Sequence, residues 1–478
     1  MRKKHKDQIL NILRTMNKAQ TMVRNYIEKI DYERAFILLR ECQQAAISIG
    51  EQIEKTEGEE CVIVRLLEDY CEQLYLVGKS LGENISVEES YKMLKTSLDY
   101  IKDKIESDIE ARLEVVFLPY KASMWDSLES IWIAAQEDSE CDSYVIPIPY
   151  YDKNPDNTFG TFHYEGNQFP KNVPITHYEE YDFEERRPDV IYIHNPYDHQ
   201  NRVTSVDPRF YSYELKKYTE MLVYIPYYVV VRGVFQETMI TTSAFAYADR
   251  IILQSKMVCE QYAEVYKKYY EEQLGKMDQK FIALGSPKFD AVINAKREKY
   301  SLPKDWKELI NQKKVVFLNT SISSSLRESE NFLKKLRLLI EDFKNCEDMV
   351  LWWRPHPILE STFMSMRPQL AREYLQIVDM YKQNNIGIFD DTPDLYRAIT
   401  WGDIFYSDGK SSIYTLCCAT GKPVVEFIVG DKEITMFADD YKHNTRDNSS
   451  FDVLLRNENI DGTCGIKIHE YICQEVVK

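Results

Sequence analysis

Apolar residues in the first hundred positions recur at steps of three and four, the spacing of one face of an α-helix. Residues 1–110 contain no proline, and glycines at 50, 58, 78 and 82 mark the predicted breaks. This pattern predicts a helical bundle or hairpin that packs or forms a homo-oligomer, with a substrate-recognition arm as the alternative. The apolar positions are Ile9, Leu13 and Met16, then Ile37, Leu38, Cys42 and Ile47, then Leu66, Leu67, Tyr70 and Leu74.

The pattern changes at Glu114, where apolar runs of four to six residues begin to alternate with helical stretches. Such runs predict mostly parallel sheets that are covered by helices on both faces. A polar loop is expected after Pro149, and Pro303 lies near a boundary after which the pattern restarts. We therefore predict an α/β fold with two tandem Rossmann-like domains, over residues 111–300 and 301–478. The helices of residues 1–110 precede them in the sequence. The predicted strands begin at Glu114, Ser143, Asp189, Met221, Arg250 and Lys280, and then at Lys314, Met349, Ile386, Asp403 and Pro423.

Composition narrows the class of protein. The net charge of −17 argues against nucleic-acid binding and against docking on anionic lipid by charge alone. Ten cysteines without a Cys-x-x-Cys pair are expected to be reduced thiols. Neither an apolar signal segment after the basic start nor a membrane-length apolar run is visible. We expect a soluble cytoplasmic protein, with the inner membrane face as a peripheral alternative.

Two segments near the C-terminus carry the chemistry. Trp352–Pro357 and Asp403–Ser412 each begin as an apolar strand and end in residues that can hold a phosphate. A loop that enters a helix presents free N–H groups and the positive end of the helix dipole. The two segments therefore predict a nucleotide-diphosphate site, with a packed histidine and plain capping serines as the alternatives. The residues concerned are Arg354, His356, Gly409, Lys410, Ser411 and Ser412.

The segment Asp408–Ser412 is not a P-loop, because Ile404 stands where that motif requires a glycine. Gly409 would instead permit close approach of a ligand to the backbone. Asn319 and Thr320 begin a hydroxyl-rich loop that follows the first predicted strand of the second domain, where substrate contact and a simple turn are both open. Asp394 is expected to be a helix N-cap, with a base or a ribose contact as the alternative.

The loop 193–199 of the first domain gathers His194, Asn195, Asp198 and His199 behind a predicted strand. No third ligand with metal-binding spacing is evident, so a metal is not expected there. A substrate-facing loop in which His194 supplies a general base and a purely structural loop both remain open. Nothing in the sequence requires a cofactor.

The motifs of the second domain resemble those of the CDP-glycerol glycerophosphotransferase family of teichoic-acid enzymes. Arg354–Pro357 resembles the family's His-Pro loop, and Ser411-Ser412 followed by Gly421-Lys422-Pro423 resembles its Ser-Ser turn, helix and Gly-Lys-Pro. Gly285–Asp290 resembles the end of the family's first half. The turn here reads Asp-Gly-Lys-Ser-Ser, which displaces Asp408 by one position. The likeness spans about residues 220–430.

This resemblance implies a GT-B arrangement and transfer of a glycerophosphate-like group from a CDP-linked alditol to a hydroxyl of a polyol or glycan acceptor. It implies a catalytic His356 and donor contacts from Arg354, Asn319, Thr320 and from residues 408–412. The family's first half also carries a Trp-His-Gly segment, whereas Leu222–Tyr228 here holds no histidine, so His194 would have to serve as the base. The rival hypotheses are a nucleotide-sugar glycosyltransferase and a binding or scaffold protein that has lost catalysis.

Overall fold

The computed structural model describes residues 1–83, 86–230, 237, 240–275, 279–408, 411–426, 437, 441, 445–446 and 457–477. The chain divides into two compact units. One comprises Met1–Val115 with Asp138–Asp142, and the other comprises Val116–Glu137 with Ser143–Lys478.

Four helices make up the first hundred residues, as the periodicity predicts. Their apolar stripes form one buried cluster. Gly58 ends the second helix with φ 92°, a conformation that favours glycine. The break predicted at Gly50 is wrong, because Gly50 lies buried inside the second helix. The helices are α1 (Lys3–Glu28), α2 (Tyr32–Glu57), α3 (Val62–Lys79) and α4 (Val87–Asp108).

The described strands fall into three sheets, two of six strands and one of three. They are β1 (Leu113–Leu118), β2 (Cys141–Val145), β3 (Tyr150–Lys153), β4 (Phe159–His163), β5 (Val190–Ile193), β6 (Thr204–Val206), β7 (Met221–Tyr224), β8 (Arg250–Leu253), β9 (Phe281–Ala283), β10 (Lys314–Thr320), β11 (Met349–Pro355), β12 (Gly387–Phe389), β13 (Ile404–Ser407), β14 (Val424–Glu426) and β15 (Thr445–Arg446).

The first large sheet has the strand order β2-β1-β5-β7-β8-β9, and its pairs β5/β7, β7/β8 and β8/β9 are parallel. The order reverses at β1, so the connections leave in opposite directions from the β1/β5 boundary. Ligands of open α/β sheets bind outside the carboxyl ends of the strands at such a point. The helices of this region are α5 (Glu129–Glu137), α6 (Phe183–Arg186), α7 (Ser212–Leu215), α8 (Ser243–Tyr247), α9 (Lys256–Tyr269), α10 (Glu271–Leu274) and α11 (Pro287–Ile293).

The polar loop predicted after Pro149 is wrong, because this stretch contributes to the three-stranded antiparallel sheet β4-β3-β6. The turn between β3 and β4 closes with the N–H of Asn154 donating to the carbonyl of Thr158 at 3.0 Å. Phe159 and Phe162 on β4 are exposed, so the strand lacks the apolar-in, polar-out alternation that identifies a strand from sequence.

The second large sheet has the order β12-β11-β10-β13-β14-β15, with β15 antiparallel to an otherwise parallel set. This is the 3-2-1-4-5-6 order of a Rossmann fold, and it reverses between β10 and β13. The predicted fold, two tandem Rossmann-like domains preceded in the sequence by a helical region, is confirmed. The helices here are α12 (Lys304–Ile310), α13 (Ile322–Arg327), α14 (Ser329–Lys344), α15 (Leu359–Met366), α16 (Pro368–Gln383), α17 (Leu395–Trp401) and α18 (Ser412–Ala419).

Both faces of the second sheet are buried. Val316 and Leu318 of β10 belong to one hydrophobic cluster, while their neighbours Val315 and Phe317 belong to another. Successive side chains of a strand point to opposite faces, so an unbroken apolar run is what a sheet covered on both faces requires.

The last described helix, α19 (Cys464–Val477), returns to the first sheet region and packs on α5 and α11. The carboxylate of Asp290 on α11 accepts from the backbone N–H groups of Cys464 and Gly465 at 3.0 and 2.7 Å and so caps this helix. A Cβ on Gly465 would come within 2.4 Å of the backbone of Ser130 on α5, so only glycine permits this approach. The sequence pattern did not predict this return.

Candidate functional site

The ends of β10, β11 and β13 lie side by side at the carboxyl edge of the second sheet, because β10 is paired with both other strands. The boundary between β10 and β13 is the point where the strand order reverses. Every predicted donor residue that the structure describes follows one of these three strands or starts α18. This edge is therefore the candidate site.

Asn319 and Thr320 tie β10 to β11. The amide of Asn319 donates to the carbonyl of Arg354 at 3.1 Å, and the hydroxyl of Thr320 accepts from the indole N–H of Trp353 at 3.2 Å. The carbonyl of Thr320 accepts from the N–H of His356 at 2.9 Å. Both side chains are buried, so they set the position of the loop that carries His356.

Asp408 joins the two sides of the reversal point. Its buried carboxylate accepts from the N–H of Ser321, the N-cap of α13, at 2.5 Å. Burial raises the pKa of Asp408 to about 6, against the opposing effect of its hydrogen bonds from Ser321 and Ser324. Of the other residues predicted in this turn, Gly409 and Lys410 lie outside the described residues.

Ser411 is the N-cap of α18, and its hydroxyl accepts from the N–H of Tyr414 at 3.1 Å. The hydroxyl of Ser412 donates to the carbonyl of Val229, which follows β7 of the first sheet, at 3.4 Å. Both serines are partly exposed. The start of α18 therefore lies where the two Rossmann-like domains meet.

Arg354 points toward the loop after β12. Its guanidinium forms an ion pair of 2.8 Å with Asp390 and donates to the carbonyl of Thr392 at 2.6 Å. Asp390 is fully buried and also accepts from the indole of Trp352 at 3.0 Å. These contacts hold the loop after β12 against the end of β11.

His356 is the exposed member of the group. Its Nδ1 accepts from the N–H of Ile358 at 3.4 Å, and no partner is found for Nε2 among the residues with described placement. Partial desolvation lowers the pKa of His356 below its usual value. The ring is therefore mostly neutral near pH 7, and Nε2 is available to a ligand.

His194, at the end of β5, is completely buried. Its Nε2 accepts from the N–H of Tyr120 at 3.1 Å, which places the ring proton on Nδ1, 2.9 Å from the hydroxyl of Ser127. The hydroxyl of Ser127 donates in turn to the carbonyl of Met124 at 2.8 Å. Burial lowers the pKa of His194 to about 4, so the ring is neutral.

The ring neighbours of His194 are Tyr120 and Tyr227, which also follow strands of the first sheet. The structure thus brings the donor residues together at one edge, while His194 lies at the carboxyl edge of the other sheet. A role for His194 as a base would require it to give up one of its two hydrogen bonds.

Two motif residues prove to have structural contacts that the sequence did not reveal. The ammonium of Lys422 donates to the carbonyls of Ile399, Thr400 and Gly402, at 3.1, 3.0 and 2.7 Å, beyond the end of α17. A cation is favourable at a helix C-terminus. Lys288 and Tyr396 both bond to the carboxylate of Asp126, which joins the two sheet regions. The only sequence signal for the contacts of Lys422 was its position directly after a glycine. No sequence signal indicated that Lys288 and Tyr396 would contact Asp126.

Among the parts of the chain that the structure describes, no helix combines the length and apolarity needed to cross a membrane.

The chain matches no protein-family model and no curated protein sequence. Solved structures that are similar include a UDP-N-acetylglucosamine 2-epimerase, with 12% identity, a TM-score of 0.49, and coverage of 77% of this chain and 97% of that one. A putative UDP-N-acetylglucosamine 2-epimerase from Listeria monocytogenes has 13% identity, a TM-score of 0.48, and coverage of 76% and 97%. The UDP-GlcNAc 2-epimerase from Neisseria meningitidis bound to UDP-GlcNAc has 10% identity, a TM-score of 0.44, and coverage of 76% and 100%. Likenesses this distant do not bear on the chemistry of this chain.

Proposed function

We propose that the chain is a transferase that holds a nucleotide-diphosphate-linked donor at the carboxyl edge of the second sheet and passes a group to a hydroxyl acceptor. One observation carries this proposal. An exposed histidine, whose Nε2 is free among the described residues, follows β11, and a serine-capped helix start follows β13, so the two lie on either side of β10 at the carboxyl edge where the strand order reverses. Diphosphates bind at such helix starts because free N–H groups and the helix dipole favour negative charge.

Within this function, we propose a CDP-linked alditol as the donor and a polyol or glycan as the acceptor. The residues Arg354–Pro357, Ser411-Ser412 and Gly421–Pro423, which resemble those of glycerophosphotransferases, support this choice. The acceptor oxygen attacks the phosphorus that bears the alditol, and the bond from that phosphorus to the bridging oxygen breaks. CMP leaves with the bonding electrons, and the hydroxyl proton passes to a base or to solvent.

In this scheme His356 and the start of α18 contact the diphosphate. With Nδ1 accepting from Ile358, the neutral ring carries its proton on Nε2, which donates a hydrogen bond to a phosphate oxygen and stabilises the charge that develops on the leaving CMP. Ser411 offers its hydroxyl proton, and both serines offer backbone N–H groups at the start of α18. This is stabilisation and positioning of the transferring group rather than covalent chemistry.

The other predicted donor residues act through position. Asn319, Thr320 and Arg354 are engaged within the protein, so they fix the loops around the ligand. Asp408 anchors the start of α13 in the same way. We assign His194 a positioning role as well, since it holds the loop after β1 through Tyr120 and Ser127.

A donor panel tests the proposal. The full chain is titrated with CDP-glycerol, CDP-ribitol, CMP, UDP-N-acetylglucosamine and GDP-mannose while its unfolding temperature is recorded. A ligand that binds the folded state raises apparent stability according to its concentration and affinity. We expect stabilisation by the CDP-alditols and by CMP, with CMP release when a polyol or glycan acceptor is added.

The outcomes separate the rivals. Stabilisation by UDP- or GDP-sugars, with release of UDP or GDP, would replace the alditol donor by a sugar donor. Nucleotide binding without release of any leaving group across acceptors would indicate a binding or scaffold protein. No binding of any nucleotide would refute the donor site.

A further inference from the structure

The carboxyl side of the first sheet contains a second cavity, apart from the donor edge. It has a volume of about 390 Å³ and is lined by Tyr197, Gln200, Asn201, Thr241 and Thr242. The first three follow β5, and the two threonines lie in the connection from β7 to β8. The cavity therefore lies in the loops beyond the strand ends, where ligands of parallel sheets bind.

The described residues of the lining carry hydrogen-bonding groups and no charged side chain. The amide oxygen of Gln200 accepts from the N–H of Ser243 at 2.9 Å, and that of Asn201 accepts from the N–H of Val203 at 2.8 Å. These bonds orient both amides, because an N–H donor must face the oxygen rather than the nitrogen. Within the described residues neither amide NH₂ has a partner, so both can donate to a ligand.

Thr242 provides a second, independent sign of a ligand. Its side chain is 3% exposed, and its Oγ1 has no hydrogen-bond partner among the residues that the structure describes. Buried hydroxyls in native proteins are almost always paired. An oxygen or hydroxyl of a ligand in the cavity would satisfy this group.

Tyr197 connects the cavity to the strand ends. The hydroxyl of Tyr197 lies near that of Tyr227, which follows β7, and the ring of Tyr227 lies 6.5 Å from that of His194. A tyrosine ring beside amide and hydroxyl groups is suited to a molecule with an apolar C–H face and a rim of hydroxyls.

We propose that this cavity binds an uncharged, hydroxyl-rich group, a polyol or sugar without phosphate or carboxylate. Among the described residues that line it, no lysine, arginine or histidine is present to neutralise an anion, whereas amide and hydroxyl groups are present to bond the hydroxyls of a ligand. Naming this group the acceptor rests on the proposed function. The binding of an uncharged ligand does not.

The test compares matched probes on the full chain. Ribitol, glycerol and N-acetylglucosamine are titrated by saturation-transfer NMR, alongside ribitol 5-phosphate and glycerol 3-phosphate. We expect at least one neutral probe to bind, and each phosphorylated probe to bind at least tenfold more weakly than its neutral counterpart. Tighter binding of the phosphates, or no saturation transfer to any neutral probe, would overturn the proposal.

Substitutions in and outside the cavity test where the neutral probe binds. Thr242→Val removes the unpaired hydroxyl at nearly constant volume and should weaken the neutral probe about tenfold, the effect of about one hydrogen bond. Thr204→Val, a buried threonine of β6 outside the cavity, is the matched control and should leave binding unchanged. If Thr242→Val does not fold, Asn201→Ala on the partly exposed loop tests the same cavity. Unchanged probe affinity in the folded cavity variant would overturn the assignment.

Nucleotide binding separates the two proposals. CDP-glycerol should stabilise Thr242→Val as it stabilises the unmodified protein. If no nucleotide binds but the neutral probe does, the donor site fails and the cavity stands. If nucleotides bind and the neutral probes do not, the cavity fails and the donor site stands.

Discussion

The carboxyl edges of the two large sheets each carry a histidine, His194 after β5 and His356 on the loop after β11. The first is completely buried, and both of its ring nitrogens are bonded within the protein. The second is exposed, with Nε2 free among the described residues. The carboxyl edges of two similar sheets therefore hold a buried, fully bonded imidazole in one case and an available one in the other.

The difference comes from what surrounds each ring. His194 accepts from the N–H of Tyr120, on the chain that leaves the adjoining strand β1, and donates its Nδ1–H to the hydroxyl of Ser127. His356 stands between Pro355 and Pro357, which have no N–H to offer. A histidine after a parallel strand is thus a candidate for chemistry only where the neighbouring chain leaves it a free nitrogen.

The sharpest test of this comparison is the stability of the two alanine variants. His194→Ala leaves the buried N–H of Tyr120 unsatisfied, removes the hydrogen bond that Ser127 accepts and creates a cavity, which should cost about 3–5 kcal/mol. His356→Ala removes an exposed ring and should change stability by less than about 0.5 kcal/mol. Urea unfolding measures both. Equal losses in the two variants would contradict the comparison.

Turnover should rank the two alanine variants in the opposite order, with the larger loss in His356→Ala. We expect His356→Ala to reduce CMP release about 100-fold, or about 2.7 kcal/mol of transition-state stabilisation, with an unchanged unfolding temperature. The measurement is the rate of CMP release at saturating CDP-glycerol. Full activity in this variant would remove His356 from the proposed mechanism.

The dependence of stability on pH distinguishes the rings further. The folded pKa of His194 is about 4, below the ordinary value of 6.5, so the unfolded chain binds a proton more readily. The resulting stabilisation is fully present above pH 6.5 and is lost as the pH falls toward 4. Between pH 7 and 5 the loss should be about 2 kcal/mol.

Asp198 and Asp408 act in the opposite direction, since burial raises their pKa values to about 7 and 6 and lower pH favours their folded forms. The contribution of His194 is therefore taken as the difference between the unmodified protein and His194→Gln, in which both aspartates are unchanged. If this difference in unfolding free energy stays constant from pH 7 to 5, the conclusion that His194 is buried as a neutral ring is wrong.

The smallest expected effect concerns the helix caps. Ser411→Ala removes the hydroxyl that accepts from Tyr414 and should cost about 1 kcal/mol of stability. Ser86→Ala removes the equivalent cap of α4, which accepts from Glu89 at 3.2 Å, at a similar cost. Only Ser411→Ala should also weaken CDP-glycerol binding in a calorimetric titration. Equal nucleotide affinity in both variants would leave Ser411 as a cap alone.

The sequence by itself determined the features that depend on neighbours along the chain. Apolar runs such as Lys314–Leu318 predicted the strands, because a strand whose two faces are both buried needs an unbroken run of apolar residues. Asp394 and Ser411 were predictable as caps, since the N–H groups they accept from lie three residues on.

Tertiary structure alone decided which polar groups are engaged and which remain available. The partners of His194, Arg354 and Asp290 lie 74, 38 and 174 residues away along the chain. No periodicity encodes such pairings, because they arise only when distant segments are packed side by side. The same packing supplies partners to both ring nitrogens of His194 and leaves Nε2 of His356 free among the described residues, so the surroundings of each ring decide what each histidine can do.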